Sequence, residues 1–360
     1  MRTSALLSTC ALLVTAPACG SDDGGTTTTT TTTTTGETGN GSTAGTAGSS
    51  TGTAGSTDTT TGSTGTTAGS TDGTAGTAGA ADGTWELRID NHALSTQETD
   101  YVCFEFTVPV DELTHITGFT PVLDNAPYVH HFVVTLLDQP SGNQGYSCYD
   151  LTGDLAWAWA PGIEDFAYPD DVGLLVGDKG PSVTFRVQVH YNNPLGAAGQ
   201  FDSSGLDVHW TKNLRANNAG TLVVAQVNGF QIPPGEASFE HEVRCDAQMT
   251  QAIFTGPIHI IGSALHAHEI GKALFAEHWV GGQLVQTFNQ DDPYSFEYQN
   301  YKEVSRTVQP GDEIVTRCFY DSTNRTEPTY GGEGTSDEMC WNTMVYYPRE
   351  NVVFPFCGPG

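Results

Sequence analysis

From Trp85 onward, apolar residues return at every second position in short runs broken by turn residues, a period that belongs to strands and not to helices. In Tyr101–Val108 (YVCFEFTV), Val102, Phe104, Phe106 and Val108 fall on one face, and Cys103, Glu105 and Thr107 on the other. In Thr184–His190, Phe185, Val187 and Val189 oppose Arg186, Gln188 and His190. The run Glu313–Phe319 follows the turn Pro310-Gly311-Asp312. With 18 prolines, 42 glycines and no long amphipathic helix in the pattern, the expectation is an all-β chain of sandwich type. A polar, turn-rich stretch from about Asn213 to Gly235 divides it into halves of roughly 130–145 residues, each the size of one sandwich. The expected domains are therefore two antiparallel β-sandwiches, over residues 84–213 and 214–360.

Residues 20–83 contribute no core. They are almost entirely Thr, Gly, Ser and Ala, with unbroken threonine from Thr26 to Thr35, and cannot bury enough apolar surface to offset their ordering entropy. The stretch 19–83 is expected to be a disordered tether, with an r.m.s. span of roughly 40–50 Å for its 64 low-complexity residues. Ahead of it, residues 1–18 have the form of a signal peptide: Arg2, then an apolar stretch from Ala5 to Val14 too short to span a bilayer. Ala16-Pro17-Ala18-Cys19 resembles a bacterial lipoprotein signal, although Ala16 stands where Leu is commoner and an ordinary A-x-A cleavage also fits. Of eight cysteines, Cys10 leaves with the signal and six beyond the tether can pair among themselves, so Cys19 is the odd one and the expected lipidation site. The expected location is exported, lipid-anchored at a bacterial envelope membrane and facing the periplasm or exterior. The chain touches the membrane only through that anchor.

The formal net charge is −29, and 36 of the 42 acidic residues lie after residue 83. A surface this acidic repels phosphate backbones, which argues against a nucleic-acid partner.

Six side chains stand out as metal ligands: His130, His131, His190, His266, His268 and Met339. In SALHAHEIG, His266 and His268 are i and i+2 on a strand, so both rings point to one face and can reach one ion. The alternative is a polar strand face. His130 and His131 are adjacent and face opposite ways on a regular strand, so a shared ion requires a bulge or bend. His190 lies alone on the polar face of its strand, and Met339 by itself would be read as core. Together, five imidazoles and one thioether select copper, because methionine sulfur favours soft Cu(I) and serves zinc poorly. His92, His115, His209, His241, His259 and His278 show no ligand spacing and are expected at the surface or behind the ligands, His259 foremost among the latter. No G-x-S-x-G, P-loop, HExxH or CxxC is present.

In order along the chain, VHHFVV, FAYPDDVG, VQVHYNNP, FDSSGLDVHWTKNLRANNAG, IHIIGSALHAHEIGK, FNQDDPYSF, VQPGDEIVTRCFY and DEMCWNTMVYYP resemble the copper type II, ascorbate-dependent monooxygenases. This is the family of dopamine β-hydroxylase and the peptidylglycine α-hydroxylating enzyme, and the likeness is closer to the former. The resemblance implies two antiparallel, jelly-roll-like β-sandwich domains facing each other across a solvent-filled cleft. It implies an electron-donating copper on His130, His131 and His190 and an oxygen-binding copper on His266, His268 and Met339. It also selects, from 15 possible pairings, Cys103–Cys148, Cys245–Cys357 and Cys318–Cys340. The peptide-amidating enzymes carry an arginine where this chain has Ala264 and a tyrosine where it has Thr343, which argues against peptidylglycine substrates.

The resulting expectation is a dicopper monooxygenase with His266, His268 and Met339 as its catalytic centre. It hydroxylates a small-molecule C–H bond with O₂ and ascorbate or another one-electron donor. A copper-binding lipoprotein that stores, transfers or senses copper without turnover is the alternative. Cys19→Ser is expected to release the protein from membranes and to remove lipid mass from its N-terminus; an unmodified Cys19 on a soluble wild-type protein would refute the anchor.

Overall fold

The computed structural model describes residues 81–149 and 152–359. The signal segment, Cys19 and the tether as far as residue 80 lie outside the described residues. Within them the protein is all-β, two sandwiches in sequence, with one seven-residue helix, Ala247–Ile253, capped by Asp246 accepting from Met249 N at 2.8 Å.

In the first half, one sheet runs in the order Gly83–Arg88, Gly205–Thr211, Thr114–Val122, Val172–Val176, Asn217–Asn218, with Phe166–Ala167 also paired to Thr114–Val122. The facing sheet runs Gln144–Ser147, Thr99–Pro109, Ser182–Asn192, Val129–Leu137, Asp154–Trp159. Leu87, Ile116, Phe119, Phe132, Phe185 and Leu206 fill the space between them. The second half repeats the plan. Tyr301–Val308, Ile258–His266, Cys340–Tyr347, Gly220–Gln226 and Phe356–Cys357 form one sheet; Phe239–Cys245, Glu313–Tyr320, Gly271–Val280 and Gln283–Asp291 form the other. Nearly all neighbours are antiparallel. The exceptions are Asn217–Asn218 on Val172–Gly173 and Val223–Val224 on Phe356–Cys357, which run parallel.

The alternation in Ser182–Asn192 is the expected one, but both of its faces are buried. Phe185, Val187 and Val189 enter the sandwich core, while Thr184, Arg186, Gln188 and His190 are covered on the other side. A central strand whose polar face is also covered has to satisfy or use every polar group on it.

Contacts of the first half extend past residues 84–213 at both ends. Residues 214–218 pack on the first half. Arg215 donates to the Val172 and Pro169 carbonyls at 2.7 and 2.9 Å, and Asn217–Asn218 extend the first sheet, so the chain crosses over at Ala219. At the other end, Gly83 pairs with Trp210, and the Asp82 carboxylate accepts from Lys212 N at 2.8 Å, so these two tether residues are part of the fold.

The halves are packed against each other. Val345 of the second half joins the core of the first, and Phe166 meets Tyr301 edge to face at 5.0 Å. The Tyr301 ring occupies the place a Cβ would take on Gly262, so only glycine fits there. The disulfides are Cys103–Cys148, Cys245–Cys357 and Cys318–Cys340, each within one half. The loop of 22 residues closed by the last contributes about 3 kcal/mol on chain-entropy grounds. Phe185 lies fully buried at the centre of the first sandwich. Phe185→Ala is expected to cost about 3–5 kcal/mol, read as a lowered urea midpoint with disulfides intact.

Candidate metal centres

The first centre is built by a break in a ladder. Along Ser182–Asn192 and Val129–Leu137, His190 pairs with His131, but the next residue, Tyr191, pairs with Val129. His130 is therefore the extra residue of a β-bulge, the departure that two adjacent histidines need in order to face one ion. Ligand nitrogens of His130, His131 and His190 all lie within 4.8 Å of one another. Tyr101, the neighbour of His190 across the sheet, stacks on its ring at 4.4 Å and 11°.

The second centre lies at the end of a strand. Ile258–His266 is paired to Cys340–Tyr347 as far as His266↔Trp341, and His268 and Met339 both lie just past that last rung. The rings of His266 and His268 are 5.2 Å apart, with the intervening Ala267 turned into the core. Ala267 is held by Tyr294, whose hydroxyl donates to the Ala267 carbonyl at 2.6 Å. His266 Nδ1 donates to Gln299 Oε1 at 2.8 Å, and His268 Nδ1 donates to the Asp337 carbonyl at 3.1 Å. Each bond fixes a tautomer with Nε2 as the free lone pair.

Several of these donors have no partner in the protein. His130 Nε2, both ring nitrogens of His190 and His268 Nε2 are buried without a hydrogen bond. Orphaned buried imidazoles are costly unless something binds them. Burial holds all five histidines below their ordinary pKa, His130 at about 4 and His268 at about 3; repulsion from neighbouring histidines adds to it for all but His266, where the Gln299 bond opposes it. They are neutral at pH 7, the form that ligates metal.

Instead of an open solvent-filled cleft, the two centres have a near contact. The rings of His131 and His266 are 5.9 Å apart across the boundary of the halves, and Phe296 fills the remaining space, stacked on His130 at 4.2 Å and edge-on to His268 at 5.9 Å. The segment carrying Phe296 is fastened to the first half by Gln299 N donating to the Pro161 carbonyl at 2.9 Å. A cavity of about 100 Å³ remains, lined by His131, His266, Met339, Leu155, Trp159 and Trp341 among others.

The remaining histidines are not all where they were expected. His259 does not back a ligand; its Nδ1 shares a hydrogen bond with Thr307 on the neighbouring strand. Gln299 takes that role for His266. His115 and His278 are buried rather than at the surface, each saturated by neighbours. His115 accepts from Arg215 N and bonds Asn218; His278 bonds Asp312 and accepts from Arg306.

Residues 85–198 match the copper type II ascorbate-dependent monooxygenase N-terminal domain, and residues 217–358 the C-terminal domain of the same family. The chain belongs to that family. It is 34% identical to DBH-like monooxygenase protein 1 of Gallus gallus over 71% of this chain and 45% of that protein. It is 33% identical to dopamine beta-hydroxylase of Canis lupus familiaris over 73% and 45%, and 32% identical to tyramine beta-hydroxylase of Caenorhabditis briggsae over 71% and 46%. The chain thus spans less than half the length of these relatives. Among solved structures, a chain of Broad Bean Stain Virus matches 80% of this chain at a TM-score of 0.30 and 9% identity, too distant to bear on fold or function. Copper and ascorbate are the cofactors that define the family. The donor set fits copper: buried, neutral, unpartnered imidazoles, with a thioether in the second group. In X-ray absorption of the reduced, copper-loaded protein, a Cu–S contribution is expected in wild type and absent from Met339→Ala; no sulfur scattering in wild type would remove Met339 from the site.

Proposed function

We propose that the folded part is a dicopper monooxygenase that hydroxylates a C–H bond of a small molecule, using O₂ and ascorbate or another one-electron donor. The observation that carries this reading is that two histidine sets, each with unpartnered buried nitrogens, both reach one largely apolar cavity, the first through His131 and the second through His266 and Met339. His130, His131 and His190 would hold one copper, and His266, His268 and Met339 the other. Copper at these positions would supply one-electron chemistry toward oxygen, with the His130, His131 and His190 ion in the role of electron donor.

The protein's own contribution is orientation and exclusion of water. Gln299 and the Asp337 carbonyl keep the His266 and His268 rings fixed. Trp159, Trp341 and Ile163 give the cavity flat apolar walls that suit an aromatic or aliphatic body. Ala264 and Thr343 are partners across neighbouring strands, and both line the cavity, so neither position offers a guanidinium or phenol to grip a carboxylate. Glu333 lines the same cavity. Burial and the neighbouring Asp337 push its carboxyl above the ordinary range, a setting that a cationic substrate group would relieve and an anionic one would worsen. A neutral or cationic small molecule such as a phenethylamine fits these features.

Three disulfides suit an oxidising compartment, in keeping with export, and Cys19 is the proposed lipid anchor. With copper and ascorbate, tyramine-like amines are expected to drive O₂ uptake coupled to hydroxylated product, and a glycine-extended dipeptide to turn over about 100-fold more slowly or worse. Efficient hydroxylation of the peptide would sink the substrate assignment. Two tightly bound coppers with no substrate-dependent O₂ uptake across an amine and small-apolar screen would instead favour copper storage or sensing.

A further inference from the structure

The ligands of the second centre lie beyond the last rung of their own ladder, and a buried carboxylate takes over from that ladder. Past His266↔Trp341 no backbone pairing joins the His268 turn to the Met339 strand. Glu338, fully buried, fills the gap. Its Oε2 accepts from His268 N at 2.8 Å and from Met339 N at 3.3 Å, and its Oε1 accepts from Ile270 N at 2.8 Å. Three converging N–H donors call for an acceptor with two oxygens, which a carboxyl side chain supplies; burial pushes the Glu338 carboxyl up to about 7, and these three bonds pull against that rise.

The Glu338 backbone is pinned from the other side. Its N donates to the Tyr330 carbonyl at 2.9 Å, and its carbonyl accepts from Gly332 N at 3.0 Å. Tyr320 donates to the Met339 carbonyl at 3.0 Å, and Cys340 is tied to Cys318. Both flanks of the carboxylate are therefore rigid, so its bonds transmit position.

We propose that Glu338 is a positioning residue that holds His268 and the Met339 thioether in one frame, so that imidazole and sulfur reach the same copper. It touches neither substrate nor ligand atom and acts through the backbone of both ligands. The inference rests on the reading of His266, His268 and Met339 as one copper set.

The test compares Glu338→Ala, Glu338→Gln and Met339→Ala in full-length protein, reading Cu(I) stoichiometry and affinity by competition with a chromophoric chelator, and the Cu–S contribution by X-ray absorption. Glu338→Ala is expected to retain the first copper, to bind the second about 10–100-fold more weakly and to lose sulfur scattering. Glu338→Gln keeps the shape but turns an N–H donor toward the backbone N–H groups, and should fall between Glu338→Ala and wild type. Wild-type second-site affinity and full sulfur scattering in Glu338→Ala would overturn the proposal. Should Glu338→Ala fail to fold, Glu338→Gln decides: weakened Cu–S scattering supports the role, and wild-type amplitude overturns it. The Met339→Ala control separates the two claims. If Met339→Ala abolishes the sulfur signal while Glu338→Ala retains it, only the positioning role fails; if wild type shows no sulfur signal, the ligand set itself fails.

Discussion

A β-strand cannot aim two consecutive side chains at one point, and the first metal centre depends on breaking that rule once. The slip between His190↔His131 and Tyr191↔Val129 inserts His130 as an unpaired residue and turns its ring to the same side as its neighbour. Everything around the slip is arranged to hold it. Val129, Phe132 and Val134 anchor the strand in the core, and the Tyr101 ring braces His190. The second centre meets the same difficulty differently. It uses the natural i, i+2 spacing of His266 and His268 and places the third donor past the end of the sheet, where side chains rather than backbone rungs must set its position.

Burial of the polar strand faces comes from both halves: Gln188 donates to the Cys148 carbonyl of its own half, while Phe296 of the other half stacks on His130. His190, Gln188 and His268 are almost wholly enclosed. Enclosure strips the imidazoles of water and holds them neutral, which suits ligation and penalises the metal-free state. The same enclosure leaves Trp159 and Trp341 as walls of a narrow space beside the histidines, so the histidine geometry and the cavity are one construction.

Much of this was legible along the chain. Period two gave strands, and the HxH spacing is local, so both survive translation into coordinates without loss. What one strand cannot show is its partner. His130 and His131 look incompatible until Tyr191↔Val129 reveals the slip, and Met339 gains meaning only beside a motif some 70 residues away. Gln299 and Glu338 carried no local signal, because their partners are 33 and 70 residues distant and an isolated Gln or Glu has no pattern to betray it. The contacts of residues 214–218 were hidden for a similar reason. Arg215 and Asn217 read as loop residues, yet they serve the carbonyls of the Tyr168–Val172 turn and so close the first sandwich.

The segment that carries Phe296 and Gln299 belongs by chain order to the second half, yet it stacks on His130 and bonds to Pro161 in the first. The loop from Gly331 to Glu338 does the same, receiving the Tyr101 hydroxyl on the Glu333 carbonyl and meeting Thr99 through Thr335. The halves are thus two folds but not two modules. Recombination at Ala219, where the chain crosses with no shared ladder, would leave both sheets of each parent intact. It would still replace the partner that each of these two loops was shaped to meet. A chimera of two relatives made at that point should keep its sheets and lose the fit between its candidate metal centres, unless both loops travel with the first half.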